Sequence, residues 1–288
     1  MYSRIAGTGK YLPERVLTNL DLEKMVETSD EWIRTRTGIE QRHIAADDQA
    51  TSDLATEASR IAIDDAGLAP DDIEMIVVGT TTPDLIFPNV ACIVQERLGI
   101  PAVPAFSLEA ACSGFVYALT VADQFIRSGQ CRRALVIGAE TMSRIVDWTD
   151  RETCVLFGDG AGAVVLEAAD EPGIVYSKIA ADGRYRDLLY ASQGVSAPKK
   201  DEGGSLLRMK GNEVFRVAVK TLETIVDEVV EAMTLLRDAD VDVITIGQYL
   251  RPTKRHAPVT RYVEPAEFAD YEQAGRDMGF SFFLNAPV

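Results

Sequence analysis

Glu109-Ala110-Ala111-Cys112-Ser113-Gly114-Phe115 is the stretch whose reading decides the fold. A turn of small residues leads into Cys112. An apolar stretch follows: Phe115, Val116, Ala118, Leu119, Val121, Ala122, Phe125 and Ile126. Apolar side chains on nearly every face predict a fully buried helix. Cys112 then lies at the start of that helix, where unpaired N–H groups and the helix dipole favour a thiolate. The thiolate is the nucleophilic form of cysteine. A second reading stands beside this one, because free cysteine is also a common small core residue.

Working outward, helix and strand alternate. Ser52 to Ala66 reads as an amphipathic helix, capped by Thr51 or Ser52 and ended by Gly67. Ile73 to Gly79 reads as a strand. Val90 to Leu98 is a second helix, ended by Gly99 and Pro101. Pro104 to Leu108 leads into the cysteine turn. Arg133 to Gly138 is a β-rich apolar run of the kind found in a central parallel strand. Ala161 to Glu167 is a further strand. Asp182 to Gly204 is polar and aperiodic and reads as an exposed loop. Glu213 to Met233 is helical, with a stripe through Val217, Val219, Leu222, Ile225, Val226 and Val229. Asp72 to Gly79 and Asp240 to Gly247 resemble each other, each following a helix. Duplication of an α/β half and coincidence of two generic units both account for this.

The chain has 288 residues, 47% of them hydrophobic, enough for one large domain or two fused halves. A net charge of -16 argues against nucleic acid or an anionic membrane as partner. No apolar run reaches the length of a membrane span. The start, Met1-Tyr2-Ser3-Arg4-Ile5, lacks a secretory apolar core. The four cysteines are widely spaced and form no metal motif, so a reducing cytoplasm is expected. Gly158-Asp159-Gly160-Ala161-Gly162 is not read as a phosphate loop, because a β-rich run follows the glycines where a helix is required. Its expected role is a tight turn and close backbone approach. Phe87, after Pro83-Asp84-Leu85-Ile86, marks either an interface or simple packing.

Several ordered runs together resemble β-ketoacyl-acyl-carrier-protein synthase III, a thiolase-fold family. They are Gly7 to Glu14, Thr28 to Ile33, Arg36 to Ile39, the Cys112 run, Phe157 to Ala163 and Met209 to Phe215. The resemblance covers residues 1 to about 227. It implies a layered α/β/α thiolase-like fold, with an N-terminal half over 1–168 and a C-terminal half over 169–288. It implies Cys112 as the nucleophile that takes an acyl group from acyl-CoA, before decarboxylative condensation with malonyl-carrier protein. Thr28, Trp32, Arg36 and Arg151 would hold the nucleotide end of coenzyme A, the indole and guanidinium stacking on adenine. Gly211, Asn212 and Phe215 would line the pantetheine tunnel. Phe87 would reach across a homodimer to the partner's acyl pocket. No cofactor is implied; acyl-CoA is a substrate and an acyl carrier protein a partner.

The family's Pro-His-Gln-Ala-Asn and Gly-Asn-Thr-Ser-Ala runs, and its final glycine-rich strand, are absent here. Gly247, in Thr245-Ile246-Gly247-Gln248, stands where the family's His is expected. From about Asp227 the chain instead resembles the end of lipoyl synthase, in Val241 to Thr253, Arg261 to Phe268 and Met278 to Phe280. Lipoyl synthase is a radical enzyme with iron–sulfur clusters, but no cysteine follows Cys154 here. The second half is therefore expected to be incomplete or altered, with a tail over 228–288 from a fusion, a rearranged gene or an assembly error. His256, in a basic loop, and His43, in a family-like stretch, are the two histidines; His43 is expected to be structural. Three functions follow as rivals: an acyltransferase of the synthase III class, an inactive chimera that binds coenzyme A, and a non-enzymatic interaction protein.

Overall fold

The computed structural model describes residues 1–174, 176–191, 194, 196 and 206–221, and the backbone of 243–248 and 282–287. It divides into two compact units, Met1–Ser29 with Ile39–Ala181, and Asp30–Gly38 with Asp182–Val288.

The first unit opens with β1 (Tyr2–Tyr11) and a hairpin of β2 (Arg15–Thr18) and β3 (Gln41–Ile44), with α1 (Asn19–Leu22) following β2. Helix α2 (Asp30–Thr37) groups with the second unit. The first unit continues with α3 (Thr51–Asp65), β4 (Met75–Gly79), α4 (Val90–Leu98) and β5 (Ala105–Leu108). It then runs through α5 (Gly114–Arg127), β6 (Arg133–Thr141) and β7 (Asp159–Ala169).

Five strands form one sheet in the order β1-β7-β6-β4-β5. Strand β4 shows why they gather there. Met75, Ile76, Val77 and Val78 are all fully buried. Side chains alternate across a strand. Ile76 and Val78 accordingly join the core with Leu54, Ala58, Ala62, Leu135 and Ile137, under α3 and α4. Met75 and Val77 join Ala118, Ala122, Ile126 and Val136, under α5. The sheet is thus covered on both faces, giving three layers. Each fully buried aliphatic side chain contributes roughly 1.5–3 kcal/mol by leaving water.

The ends of α3 and α4 fall where the glycines put them. Gly67 and Gly99 both have φ of 67°, a left-handed turn that costs glycine nothing. The expected cap of α3 is corrected. Ala50 holds the cap position, and its N–H donates to the Asp53 carboxylate at 2.7 Å. Thr51 and Ser52 lie within the helix, both buried, and bond to distant segments instead. The Thr51 hydroxyl donates to the Thr82 carbonyl, and the Ser52 hydroxyl donates to Asp84, each at 2.5 Å.

Three further expectations are corrected. Strand β6 is central, but its two neighbours differ: it runs parallel to β4 and antiparallel to β7. Helix α5 is not fully buried. Gly114, Ala118, Ala122 and Ile126 are buried, while Val116 is 43% exposed. These positions repeat every four residues along one face of a helix that packs against β4 and β6, and Asp123 beside them is buried too. Finally, Asp182–Gly204 is not all loop. A 3-10 turn occupies Gly183–Tyr185, and β8 (Leu189–Ala191) pairs antiparallel with β9 (Leu207–Met209). A three-residue strand is too short to show a period in a polar context.

In the second unit, α6 spans 211–221, so the expected helix is present as far as it is described. Leu222 to Met233 lies outside the described residues. Strand β10 (Val243–Gln248) pairs in parallel with β11 (Phe282–Pro287). Its Val243–Gly247 part aligns, residue for residue, with Met75–Gly79 in the sequence repeat, and both segments are strands in parallel ladders.

Candidate functional site

After β5 the chain makes a 3-10 turn over Ala111–Ser113 and enters α5 at Gly114. Cys112 sits in that turn, two residues before the helix, as its sequence context predicts. Ala111 has φ of 44°, a left-handed conformation that costs a residue with a Cβ about 1–2 kcal/mol. Two hydrogen bonds hold it: Ala111 N–H donates to Glu109 Oε1 at 3.1 Å, and Ser113 N–H to the Ala110 carbonyl at 3.0 Å. Strain kept in this way presents the cysteine at the surface. Cys112 is the exposed thiol of the four; Cys92 is half-buried, and Cys131 and Cys154 are buried. The core-cysteine reading therefore does not hold for Cys112. It does hold for Cys131, whose thiol burial pushes up to about 11, and for Cys154, which burial also pushes up. Limited iodoacetamide treatment with peptide mapping is expected to modify Cys112 before the other three. Earlier modification of Cys92, Cys131 or Cys154 would count against this site.

The sequence reading missed one half-buried carboxyl. Glu140, near the end of β6, accepts from Thr81 N–H at 2.8 Å, Thr81 Oγ1 at 3.1 Å, Thr80 Oγ1 at 3.4 Å and Thr82 Oγ1. Burial pushes its carboxyl above the ordinary carboxylate range, and the four donors only partly offset that. The visible signal was three threonines in a row after an apolar strand. They tie down the root of the 80–88 loop. Its tip stays free: Leu85, Ile86 and Phe87 are exposed, Phe87 at 82%.

The other expected residues fall in both units. In the first, Arg151 Nη1 donates to the Glu27 carbonyl at 2.9 Å. The next residue, Thr28, has a buried hydroxyl oxygen without a hydrogen-bond partner among the described residues. In the second unit, the Arg36 guanidinium lies 4.4 Å from the Trp32 ring centroid, one turn along α2. Such a contact is worth about 0.5–1 kcal/mol at an exposed site. Phe215 is buried in α6, Asn212 is exposed and Gly211 is half-buried.

Gly158 and Asp159 have a structural task. Strand β7 starts at Asp159, so no helix follows the glycines, as expected. A Cβ on Gly158 would lie 2.9 Å from Arg42 Cβ, which is the expected close approach. Asp159 is buried and accepts from Ala45 N–H at 2.7 Å, Ser143 N–H at 2.8 Å and Ser143 Oγ at 2.6 Å. It clasps the segments after β3 and β6 together. His43 Nδ1 lies 2.5 Å from the Pro13 carbonyl, in keeping with a structural role. His256 lies outside the described residues. No helix among the described residues is long and apolar enough to cross a membrane.

Residues 106–183, from β5 through the cysteine turn to β7, match the family model of 3-oxoacyl-[acyl-carrier-protein] synthase III. The β-ketoacyl-[acyl-carrier-protein] synthase III of Xanthomonas campestris pv. campestris is 62% identical over 235 residues, covering 81% of this chain and 72% of that protein. The chain belongs to the β-ketoacyl-[acyl-carrier-protein] synthase III family. The synthase III of Thiobacillus denitrificans is 59% identical over 242 residues, covering 84% of this chain and 75% of that one. The crystal structure of the synthase III from Aquifex aeolicus VF5 superposes with a TM-score of 0.75 at 46% identity, over 85% of this chain and 76% of that one. The mixed α/β thiolase-like fold is therefore established, and synthase III proteins are an enzyme class.

Proposed function

We propose that the chain is a synthase III-type acyltransferase whose nucleophile is Cys112. The observation that carries this is the exposed cysteine on a strained turn at the head of α5. In the proposed reaction, Cys112 Sγ attacks the thioester carbonyl of an acyl-CoA. A new thioester forms on Cys112, the old carbon–sulfur bond breaks, and coenzyme A leaves as its thiol. Malonyl-carrier protein then loses carbon dioxide, and its α-carbon displaces Cys112 to give a ketoacyl-carrier product.

The coenzyme A reading rests on Thr28, Trp32, Arg36, Arg151, Gly211, Asn212 and Phe215. The Thr28 hydroxyl, without a hydrogen-bond partner among the described residues, and the stacking of Arg36 on Trp32 support it. Homodimer formation is supported by β5, which is an edge strand of the sheet, and by the apolar tip at Leu85–Phe87. A reducing, cytoplasmic setting rests on cysteine usage.

A second reading concerns activity. Gly247 lies within β10, at the position expected for a proton-handling His, and no Asn-bearing run follows. The chain then stops at the acyl-enzyme. The lipoyl-synthase resemblance of 228–288 rests on its residues alone, and sequencing genomic DNA across codons 227–231 tests whether that junction is genuine.

Incubation with acetyl-CoA is expected to place an acetyl group on the peptide containing Cys112, read by mass spectrometry. An unmodified Cys112 in folded protein would favour the non-enzymatic reading. Trp32→Ala is expected to weaken acyl-CoA binding by about 0.5–2 kcal/mol, roughly 2- to 30-fold. Calorimetry showing unchanged affinity in a folded variant would remove Trp32 from the site.

A further inference from the structure

We infer that Gly79, with Gly138 beside it, is a positioning residue for Cys112, an inference that rests on the reading of Cys112 as nucleophile. The two glycines face each other in register on the parallel strands β4 and β6. The first turn of α5 lies directly on them. A Cβ on Gly79 would fall 2.6 Å from Gly114 C, 2.7 Å from Gly114 O and 3.0 Å from Phe115 N. Those are backbone atoms of the helix start, so they can make room only by moving the helix. A Cβ on Gly138 would fall 3.2 Å from Phe115 Cβ, a contact that a side chain can partly relieve.

Cys112 stands two residues from this floor, linked to it by the 3-10 turn and its internal hydrogen bond. Little slack separates floor and thiol, because Ala111 is already held in a strained conformation. The height of the floor therefore sets where Cys112 Sγ sits, and a displacement of about 1 Å can cost on the order of 10²-fold in a reaction that needs aligned atoms. Ordinary helix–sheet packing supplies the contrast. Gly7 and Gly9 of β1 meet α3 just as closely, since a Cβ there would fall 2.4 Å from Ala62 O and 2.1 Å from Ala58 O. Those contacts hold a helix that carries no nucleophile.

The test compares Gly79→Ala with Gly7→Ala in the full chain. All four thiols are followed by iodoacetamide labelling and peptide mapping; the buried Cys131 and Cys154 report unfolding in the same sample. For Gly79→Ala, acylation of Cys112 by acetyl-CoA is expected to slow roughly 10- to 100-fold. Its alkylation is expected to follow a displaced pH profile, while Cys131 and Cys154 stay protected. For Gly7→Ala, any loss of folded protein scales the Cys112 profile without displacing it. Equal effects of the two variants on Cys112, or an unchanged Cys112 in Gly79→Ala, would overturn the assignment. Should Gly79→Ala label its buried thiols as fast as denatured protein, the milder Gly138→Ala decides. A displaced Cys112 profile with protected Cys131 and Cys154 supports the assignment, and an undisplaced one ends it. Alkylation needs no acyl-CoA, so a parent chain that fails to acylate counts against the proposed function and leaves this comparison decisive.

Discussion

Given acetyl-CoA and malonyl-carrier protein together, the chain is expected to accumulate acyl-Cys112 and to release ketoacyl product roughly 10²–10⁴-fold more slowly than an intact synthase III. The two half-reactions ask for different groups. Acylation needs a presented thiol, and the turn between β5 and α5 supplies one. Condensation needs donors for the enolate left when carbon dioxide departs. On the proposed second reading, Gly247 stands where the family's His is expected and residues 228–288 supply no Gly-Asn-Thr-Ser-Ala run. A lost oxyanion-type donor costs roughly 10²–10³ in rate, and lost acid–base help about 10²–10⁴. Groups that act as a unit are not additive, so these factors do not multiply. Mass spectrometry can follow acyl-enzyme and product in one reaction. Product at the rate of an intact enzyme would sink the impaired reading and direct attention to His256 or another group within 228–288.

Replacing the nucleophile is expected to have an equally large effect on the first half-reaction. In Cys112→Ala, acyl transfer from acetyl-CoA falls to the uncatalysed background, with no acyl adduct on any peptide. The other thiols are poor substitutes. Cys131 and Cys154 are buried and pushed toward the neutral thiol. Cys92 is half-buried in α4, and its Sγ lies 3.3 Å from Asn89 Nδ2 and 3.6 Å from the Ala105 carbonyl. Alanine in place of Cys112 removes one sulfur from an exposed position, so thermal stability should change little. Cys92→Ala serves as the partner control and should acylate like the parent. An adduct that persists in Cys112→Ala, or disappears in Cys92→Ala, would move the active thiol to α4.

Local chemistry fixed much of this molecule before any tertiary contact formed. The short apolar run Met75–Val78 between a helix and Gly79 read as a strand, and both its faces proved buried. Gly67 and Gly99 stopped α3 and α4 because a left-handed residue closes a helix most cheaply as glycine. The small residues before Cys112 announced a turn, and the β-rich run after Gly158-Asp159-Gly160 excluded a phosphate loop. The ordered runs from Gly7–Glu14 to Met209–Phe215, the Cys112 run among them, together carried the family resemblance. Other features lay beyond the reach of local pattern. Periodicity says that a residue is buried but not against what, so it could not show that β6 has one parallel and one antiparallel neighbour. It overstated α5, whose composition is apolar all round while Val116 on its far side is 43% exposed. Thr51 and Ser52 looked like caps because a hydroxyl near a helix start usually bonds locally; Thr82 and Asp84, some thirty residues on, took those bonds instead. Glu140 and its threonines are joined across about sixty residues of chain, and Gly79 meets Gly114 only because β4 and α5 fold onto one another. Sequence carries what neighbouring residues do to each other; the position of the thiol depends on which distant backbones come within a Cβ of touching, and only the folded chain decides that.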